Sequence, residues 1–232
     1  MNATESAWPW VLEQITESPV RVELLPPDGP AGSATLAQLQ VTERSALGAT
    51  VVNCGGLLVD GGWVRALGGS SIPGLGIGRV NEFPATTDPS WEPLNGLIIG
   101  YDVLGGVFAI STYDAATTGR PGEIGQVGYF APDTLEWESL EITHSQWMDW
   151  LLSGGTNKFY ESLRWPGWQD ESDALLPTHG IAVYPFLWST EARSDLPATS
   201  RRPVPMTELV GVATDFTAQI GLPSPGFLGN YS

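Results

Sequence analysis

The stretch GQVGYFAPDTLEWESLEITHSQWMDWLLSG, Gly125 to Gly154, reads in order as a strand, a tight turn, a second strand and a helix. Val127, Tyr129 and Leu135 are residues typical of strands, and Pro132-Asp133-Thr134 between them is typical of a turn. The sequence therefore predicts a hairpin that leads directly into a helix.

The helix has a clear start signal. Thr143 followed three residues later by Gln146 is a capping-box pattern. Trp147, Trp150 and Leu151 then lie on one helical face. A hairpin that leads into an aromatic-faced helix is a packing unit of an α+β domain and not a catalytic motif.

Two further hairpins are predicted on the N-terminal side. Ala49 to Leu67 contains strand-like Val51-Val52 and a later turn signal at Asp60-Gly61. Leu97 to Tyr101 and Val107 to Ser111 form the other hairpin. Because strands follow one another instead of alternating with helices, we expect an α+β fold with a largely antiparallel sheet built from hairpins and flanked by helices.

Helices are predicted at both ends of the chain. Apolar residues recur at helical spacing from Glu5 to Ser18 and from Leu209 to Ile220, with Gly221 ending the second. Gly180 to Trp188 (GIAVYPFLW) is predicted as an apolar strand, and Ser189 to Pro205 as a polar loop. We expect a single α+β domain over residues 1–222 and a loose C-terminal tail over residues 223–232.

The charge of the chain limits its partners. The 232 residues include 26 acidic and only 10 basic side chains, a formal net charge of −16. Without a basic stripe, binding to nucleic acid is not expected. No apolar run reaches about 18 residues, so no membrane span is expected, and no secretory signal precedes the first helix, so we expect a cytoplasmic protein. A basic protein partner would be attracted, although ordinary solubility also explains the charge.

Few side chains are available for common reaction centres. Cys54 is the only cysteine, and His144 and His179 are the only histidines. A Cys/His zinc site and a disulfide within the chain are therefore excluded, and we expect no cofactor, no metal site and no catalytic residue. We expect Cys54 to be buried and His144 to be exposed in the first turn of its helix.

Two stretches could be thought to form an active site. The glycine-rich loop Gly68 to Gly78 has no lysine for a phosphate-binding loop, and we favour a mobile surface loop. Asp102 could be a general base or a metal ligand, but an aspartate at a strand end beside glycines favours a turn-forming residue. A carboxylate-dependent hydrolase with a cleft near Asp102 and the Gly68 loop is the enzymatic alternative.

Asp102 and four further residues are candidates for partner binding. Trp165 and Trp168 flank Pro166-Gly167, where they could form a protein interface or a small satellite core. Arg201 and Arg202 are the only adjacent basic pair, and they could bind a carboxylate or phosphate or form internal ion pairs.

Segments along the chain resemble the bacterial family called domain of unknown function 2625. They are SAWPWV, CGGLLVDGGWVRALGG, GYDVLGGVFAIS, GYFAPDTLEWESL, FYESLRWPGW, GIAVYPFLW and SRRPVP, in this order from Ser6 onward. That family has no established activity.

The central part is also similar, more remotely, to the SUKH (Smi/Knr-like) superfamily. The matching positions are Gly100 to Asp102, Gly128-Tyr129-Phe130, Thr134 to Trp137 and Thr143 to Leu152. This resemblance implies an α+β fold without known catalytic residues, and many SUKH members are thought to be immunity proteins that neutralise toxins.

Three hypotheses follow. The first is a non-enzymatic protein-binding domain, such as an immunity protein for a basic toxin domain. The second is the hydrolase just described, and the third is a homo-oligomeric structural protein.

Overall fold

The computed structural model describes residues 6–113 and 119–232. Seven strands form one antiparallel sheet in which each strand pairs with the next along the chain. They are β1 (Val22–Leu25), β2 (Gly56–Val59), β3 (Val64–Leu67), β4 (Leu97–Asp102), β5 (Val107–Ile110), β6 (Gln126–Ala131) and β7 (Glu136–Thr143). A separate antiparallel pair consists of β8 (His179–Tyr184) and β9 (Ser200–Pro205).

Helices surround these sheets. They are α1 (Trp8–Glu17), α2 (Gly29–Leu39), α3 (Ala46–Asn53), α4 (Ile77–Val80), α5 (His144–Leu152), α6 (Thr156–Phe159), α7 (Trp168–Asp173), α8 (Thr190–Ser194) and α9 (Met206–Ile220). The predicted α+β class with a largely antiparallel sheet is therefore confirmed. No helix within the described ranges has the length and apolar character needed to span a membrane.

The unit from Gly125 to Gly154 forms as the sequence predicts. The backbone N–H of Thr143 donates to Oε1 of Gln146 at 2.9 Å, which completes the capping box at the start of α5. Trp147, buried on α5, packs against Phe108 of β5 with 5.4 Å between ring centroids. Gly154 has a φ of 84°, a conformation that favours glycine after a helix.

The two faces of the large sheet have different covers. On one face, Phe108 and Tyr129 contact the aromatic rings of α5 and of residues 159–160. On the other face, Tyr101 packs against Tyr231, with 4.8 Å between ring centroids. Both faces of the sheet are therefore covered, and their buried residues belong to one hydrophobic core.

Residues 223–232 pack differently from the loose tail that the sequence suggested. Leu228 and Tyr231 are buried. The Asn230 N–H donates to the carbonyl of Val80 at 2.9 Å, and the Arg120 guanidinium donates to the carbonyl of Pro225 at 2.8 Å. These hydrogen bonds hold a segment without regular secondary structure against the sheet.

The prediction of a strand at Val51-Val52 is wrong. These residues belong to α3, whose start is capped by the Ser45 hydroxyl accepting from the Gly48 N–H at 3.0 Å. Val51 is buried in the core. Burial and the cap outweigh the weak preference of two valines for strands.

The prediction of a polar loop over residues 189–205 is also wrong. This segment contains α8 and β9, and β9 pairs with the whole of β8. Pro203 and Pro205 lie on β9, where prolines are tolerated because it is an edge strand. At the N-terminus, the helix predicted from Glu5 begins at Trp8, and Glu5 lies outside the described residues.

The glycine-rich loop is packed at both ends, whereas Ser71 and Ile72 in its middle are exposed. Gly68, Gly69 and Gly76 are buried. A Cβ atom on Gly69 would lie 1.9 Å from the Val51 carbonyl oxygen and 2.5 Å from the Gly32 Cα. Gly69 therefore allows close backbone contact with α2 and α3.

We predict opposite effects for two glycine substitutions. Gly69→Ala should lower the free energy of unfolding by about 1–3 kcal/mol because its methyl group has no space. Gly211→Ala should raise it by about 0.5–1 kcal/mol, because Gly211 lies within α9 and an added Cβ would have nothing within 4 Å. Urea unfolding of both variants measures the difference. Equal effects at the two positions would contradict the packing explanation.

Candidate binding groove

Asp102 ends β4 and lies in the middle of the fold with no solvent exposure. Its Oδ1 accepts from the backbone N–H groups of Leu104 and Gly106, at 2.8 and 2.9 Å. Its Oδ2 accepts from the hydroxyls of Tyr129 and Tyr160, at 2.7 and 2.9 Å. Asp102 is therefore a turn-forming residue, and its carboxylate accepts hydrogen bonds from four donors.

This environment does not suit a general base. Burial raises the pKa of the Asp102 carboxyl, an effect that the hydrogen bonds from Tyr129, Gly106, Tyr160 and Leu104 oppose. In the described part of the chain, no group of three or more His, Cys, Asp or Glu residues could hold a metal ion. The glycine-rich loop lines a cavity of about 350 Å³ through Ser70, Ser71 and Gly78, but Asp102 is fully buried and does not line that cavity.

Trp165 and Trp168 pack against Trp63 of the main hydrophobic core, with ring centroids 5.6 and 5.0 Å from that of Trp63. Trp165 is 2% exposed, and its indole N–H donates to Oε1 of Glu171 at 2.8 Å. Trp168 is half-buried, with the Arg164 guanidinium 3.9 Å from its ring centroid. Trp165 has no surface to offer a partner in this conformation, and Trp168 offers only part of its ring.

The two adjacent arginines have different surroundings. The Arg201 guanidinium lies 4.7 Å from the Trp165 ring centroid and pairs with Glu171 at 3.5 Å. Arg202 is exposed and pairs with Glu208 of α9 at 3.0 Å. Arg201 therefore has an internal ion pair, while Arg202 and Glu208 remain accessible at the surface.

These arginines lie beside an apolar groove that sequence reasoning missed. The groove has a volume of about 510 Å³ and lies between β8, β9, residues 184–188 and α9. Its lining is mainly apolar, with a charged rim: Leu104, Gly105, Pro132, Ile181, Ala182, Val183, Tyr184, Phe186, Leu187, Trp188, Ser200, Arg201, Arg202, Glu208, Leu209, Val212 and Ala213. This volume lies within the range of ligand pockets, about 300–1,000 Å³.

Stacked aromatic rings form one wall of the groove. Phe186 and Trp188 are stacked with 4.6 Å between centroids and an interplanar angle of 9°. Phe216 of α9 packs against both rings, at 4.8 and 5.0 Å. Tyr184, at the end of β8, is 67% exposed. Rigid aromatic rings that are partly open to solvent are the usual anchors of binding sites.

Asp102 supports this groove indirectly. The turn that it holds, residues 102–106, contributes Leu104 and Gly105 to the lining. The Val103 carbonyl of the same turn accepts from the Ile181 N–H of β8 at 2.6 Å. The turn therefore connects the large sheet to the β8–β9 pair and fixes the position of the groove.

Three acidic side chains follow Pro132 of the groove along the chain. Asp133 follows Pro132, and Glu136 and Glu138 are exposed on β7. Partial burial, followed by the charges of Asp133 and Glu136, raises the pKa of Glu138. The repulsion between these carboxylates would be relieved by a positively charged partner.

Cys54 is buried and His144 is half-buried. Burial raises the pKa of the Cys54 thiol to about 12, which favours the unreactive thiol form. His144 is half-buried, not exposed as predicted, and its Nδ1 is buried with no hydrogen-bond partner among the described residues. Burial lowers the pKa of His144 to about 4.

We predict that Asp102→Ala lowers the free energy of unfolding by about 3–5 kcal/mol, because two N–H groups and two hydroxyls lose their buried acceptor. Asp102→Asn should cost less, about 1–2 kcal/mol, because its amide oxygen can still accept from the two N–H groups. Denaturant unfolding monitored by tryptophan fluorescence compares the variants. A loss below about 1 kcal/mol for Asp102→Ala would contradict this assignment.

We also predict a pH effect at His144. The pKa of His144 is about 6.5 in the unfolded chain and about 4 in the folded chain. Between these two pH values, the unfolded chain binds a proton that the folded chain does not. Stability should therefore fall as the pH falls through this range, with about 1–2 kcal/mol due to a half-buried His144. In His144→Gln this contribution should disappear, as measured by urea unfolding at several pH values. The same pH dependence in both proteins would contradict the prediction.

Comparison with known proteins identifies the family of the chain but no activity. A protein from Escherichia coli K12 named "Putative uncharacterized protein YbfG" is 38% identical over 213 residues, covering 90% of this chain and 91% of the relative. An "Uncharacterized protein" from Haemophilus influenzae is 30% identical over 171 residues, which cover 73% of this chain and 72% of the relative. No solved structure matches, so the SUKH resemblance stays a prediction. A family model described as "Protein of unknown function DUF2625" matches residues 1–209, and the chain belongs to this family.

Proposed function

We propose that this protein is a non-enzymatic binding protein whose apolar groove receives an apolar segment of a basic protein partner. The observation that carries the proposal is the groove itself, with the stacked rings of Phe186 and Trp188 in its wall. A large apolar pocket with few polar groups at its rim is suited to binding. The cytoplasmic location remains a prediction.

Charge complementarity supports a basic partner. The chain carries a formal net charge of −16, and Asp133, which follows Pro132 of the groove in sequence, acts electrostatically on Glu138 together with Glu136. Opposite charges would increase the rate of encounter, and the apolar groove would then supply most of the binding free energy. The SUKH resemblance suggests a basic toxin domain, such as a nuclease, as the class of partner. The protein would then act as its immunity protein.

The groove can be tested with two matched variants of α9. Val212 is half-buried and lines the groove, whereas Ile220 is 55% exposed at the helix end, outside the groove lining. Val212→Glu and Ile220→Glu add the same charge to the same helix. They therefore separate the effect of the groove from that of the overall charge.

We predict that the wild-type chain and Ile220→Glu retain a protein partner from the native host, while Val212→Glu loses at least tenfold in affinity. A buried carboxylate without a partner is costly in an apolar contact, and tenfold corresponds to about 1.4 kcal/mol. Raising NaCl from about 50 to 500 mM should weaken binding, because the charges are then screened. Affinity capture followed by calorimetry on the purified pair measures both effects.

Three results would contradict the proposal. The first is the absence of any partner at every ionic strength, and the second is equal retention by Val212→Glu and the wild-type chain. The third is a light-scattering mass that is a multiple of 24.8 kDa for the wild-type chain but equals 24.8 kDa for Val212→Glu. The groove would then hold a second copy of the chain. Nile red, a neutral apolar probe, checks access to the groove, with binding expected for Ile220→Glu but not Val212→Glu.

A further inference from the structure

Arg65 of β3 is a buried cation within an otherwise apolar strand. It is 1% exposed, and burial lowers the pKa of its guanidinium. Its Nη1 has no hydrogen-bond partner in the described part of the chain, and none of the ion pairs there includes Arg65. Because a buried guanidinium is costly unless its donors are satisfied, this arrangement points to a ligand.

The nearest polar groups do not neutralise this charge. The guanidinium lies 5.5 Å from the Tyr101 ring centroid, but the Tyr101 hydroxyl donates to the carbonyl of Gly74 at 2.8 Å and also to that of Pro177. Asp102 follows Tyr101 on β4 and is held by the hydroxyls of Tyr129 and Tyr160. The coulombic effects of Tyr101 and Asp102 oppose the effect of burial on the Arg65 pKa, but Nη1 of Arg65 still has no hydrogen-bond partner among the described residues.

Arg65 lines a small cavity of about 80 Å³ that is separate from the groove, since the two share no lining residue. Gly61, Gly62 and Ser172 also line it. Arg21, Glu23 and Asp173 lie at its edge, with the Arg21–Asp173 ion pair at 2.8 Å and both of these side chains largely exposed. The cavity therefore reaches the surface at this ion pair.

We propose that this cavity binds a small monovalent carboxylate, of the size of formate or acetate, against the Arg65 guanidinium. The volume equals that of roughly two or three water molecules, which suits an anion of three or four heavy atoms. The planar guanidinium matches a carboxylate through two parallel hydrogen bonds. Arg21 and Arg65 together balance the charges of Glu23 and Asp173, so the cavity has no excess positive charge to attract a multiply charged anion such as phosphate.

The test uses the full chain and thermal unfolding at constant ionic strength. Sodium formate and sodium acetate should each raise the Tm by a few degrees in a saturable manner, because a ligand of the folded state stabilises it by mass action. Sodium propanesulfonate, which is larger, should not. Arg65→Met should remove the effect, and Arg44→Met should retain it, since Arg44 is exposed in the turn before α3.

Several outcomes decide the proposal. Equal responses to formate and propanesulfonate in the wild-type chain would overturn it, because the change in Tm would then not depend on whether the anion fits the cavity. A saturable response that Arg65→Met retains would place the anion elsewhere and also overturn it. If Arg65→Met does not fold, Arg65→Lys serves instead, and a weaker acetate response than that of the wild-type chain supports the proposal, while an equal response contradicts it.

Discussion

The hydrogen bonds to Asp102 are the constraint on which the rest of the structure depends. One carboxylate oxygen holds the turn between β4 and β5, and the other binds hydroxyls from β6 and from the segment after α6. Gly106 permits this arrangement, because a Cβ there would lie 2.1 Å from Oδ2 of Asp102. The same turn contacts β8 through Val103 and lines the groove through Leu104. A single buried acid therefore joins the large sheet, the helical layer and the groove.

The two buried charges of the sheet are treated in opposite ways. Asp102 has four donors, so its burial is compensated by short hydrogen bonds. Arg65, one strand away, contacts the face of Tyr101 but has an unpartnered Nη1 among the described residues. Asp102, whose hydrogen bonds are satisfied within the fold, is therefore a structural group. Arg65, which lines a small cavity, is the group that is available to a ligand.

Local signals predicted local structure well. The Thr143–Gln146 spacing, the Asp60-Gly61 turn and Gly221 after α9 all occur as expected. The secondary structure of residues whose conformation depends on distant contacts was predicted wrongly. In α3, for example, burial outweighs the preference of valine for strands. The groove could not be predicted, because it requires β8 and α9 to meet across residues 185–205, which contain an edge strand with two prolines. For Arg65, one charge within the apolar run WVRAL was a signal that could have been used.

The net charge also bears on which partner the groove can accept. Every copy of the chain carries −16, so two copies repel each other at low ionic strength, and that repulsion opposes self-association through an apolar surface. A neutral partner would gain nothing from the carboxylates of Asp133, Glu136 and Glu138, whereas a basic partner would relieve their mutual repulsion as it docks. An apolar groove on a strongly acidic chain thus favours a partner of opposite net charge, while Arg202 and Glu208 at the rim are available for polar contacts. Of the three hypotheses raised by the sequence, this combination favours a partner of different composition over a second copy of the chain.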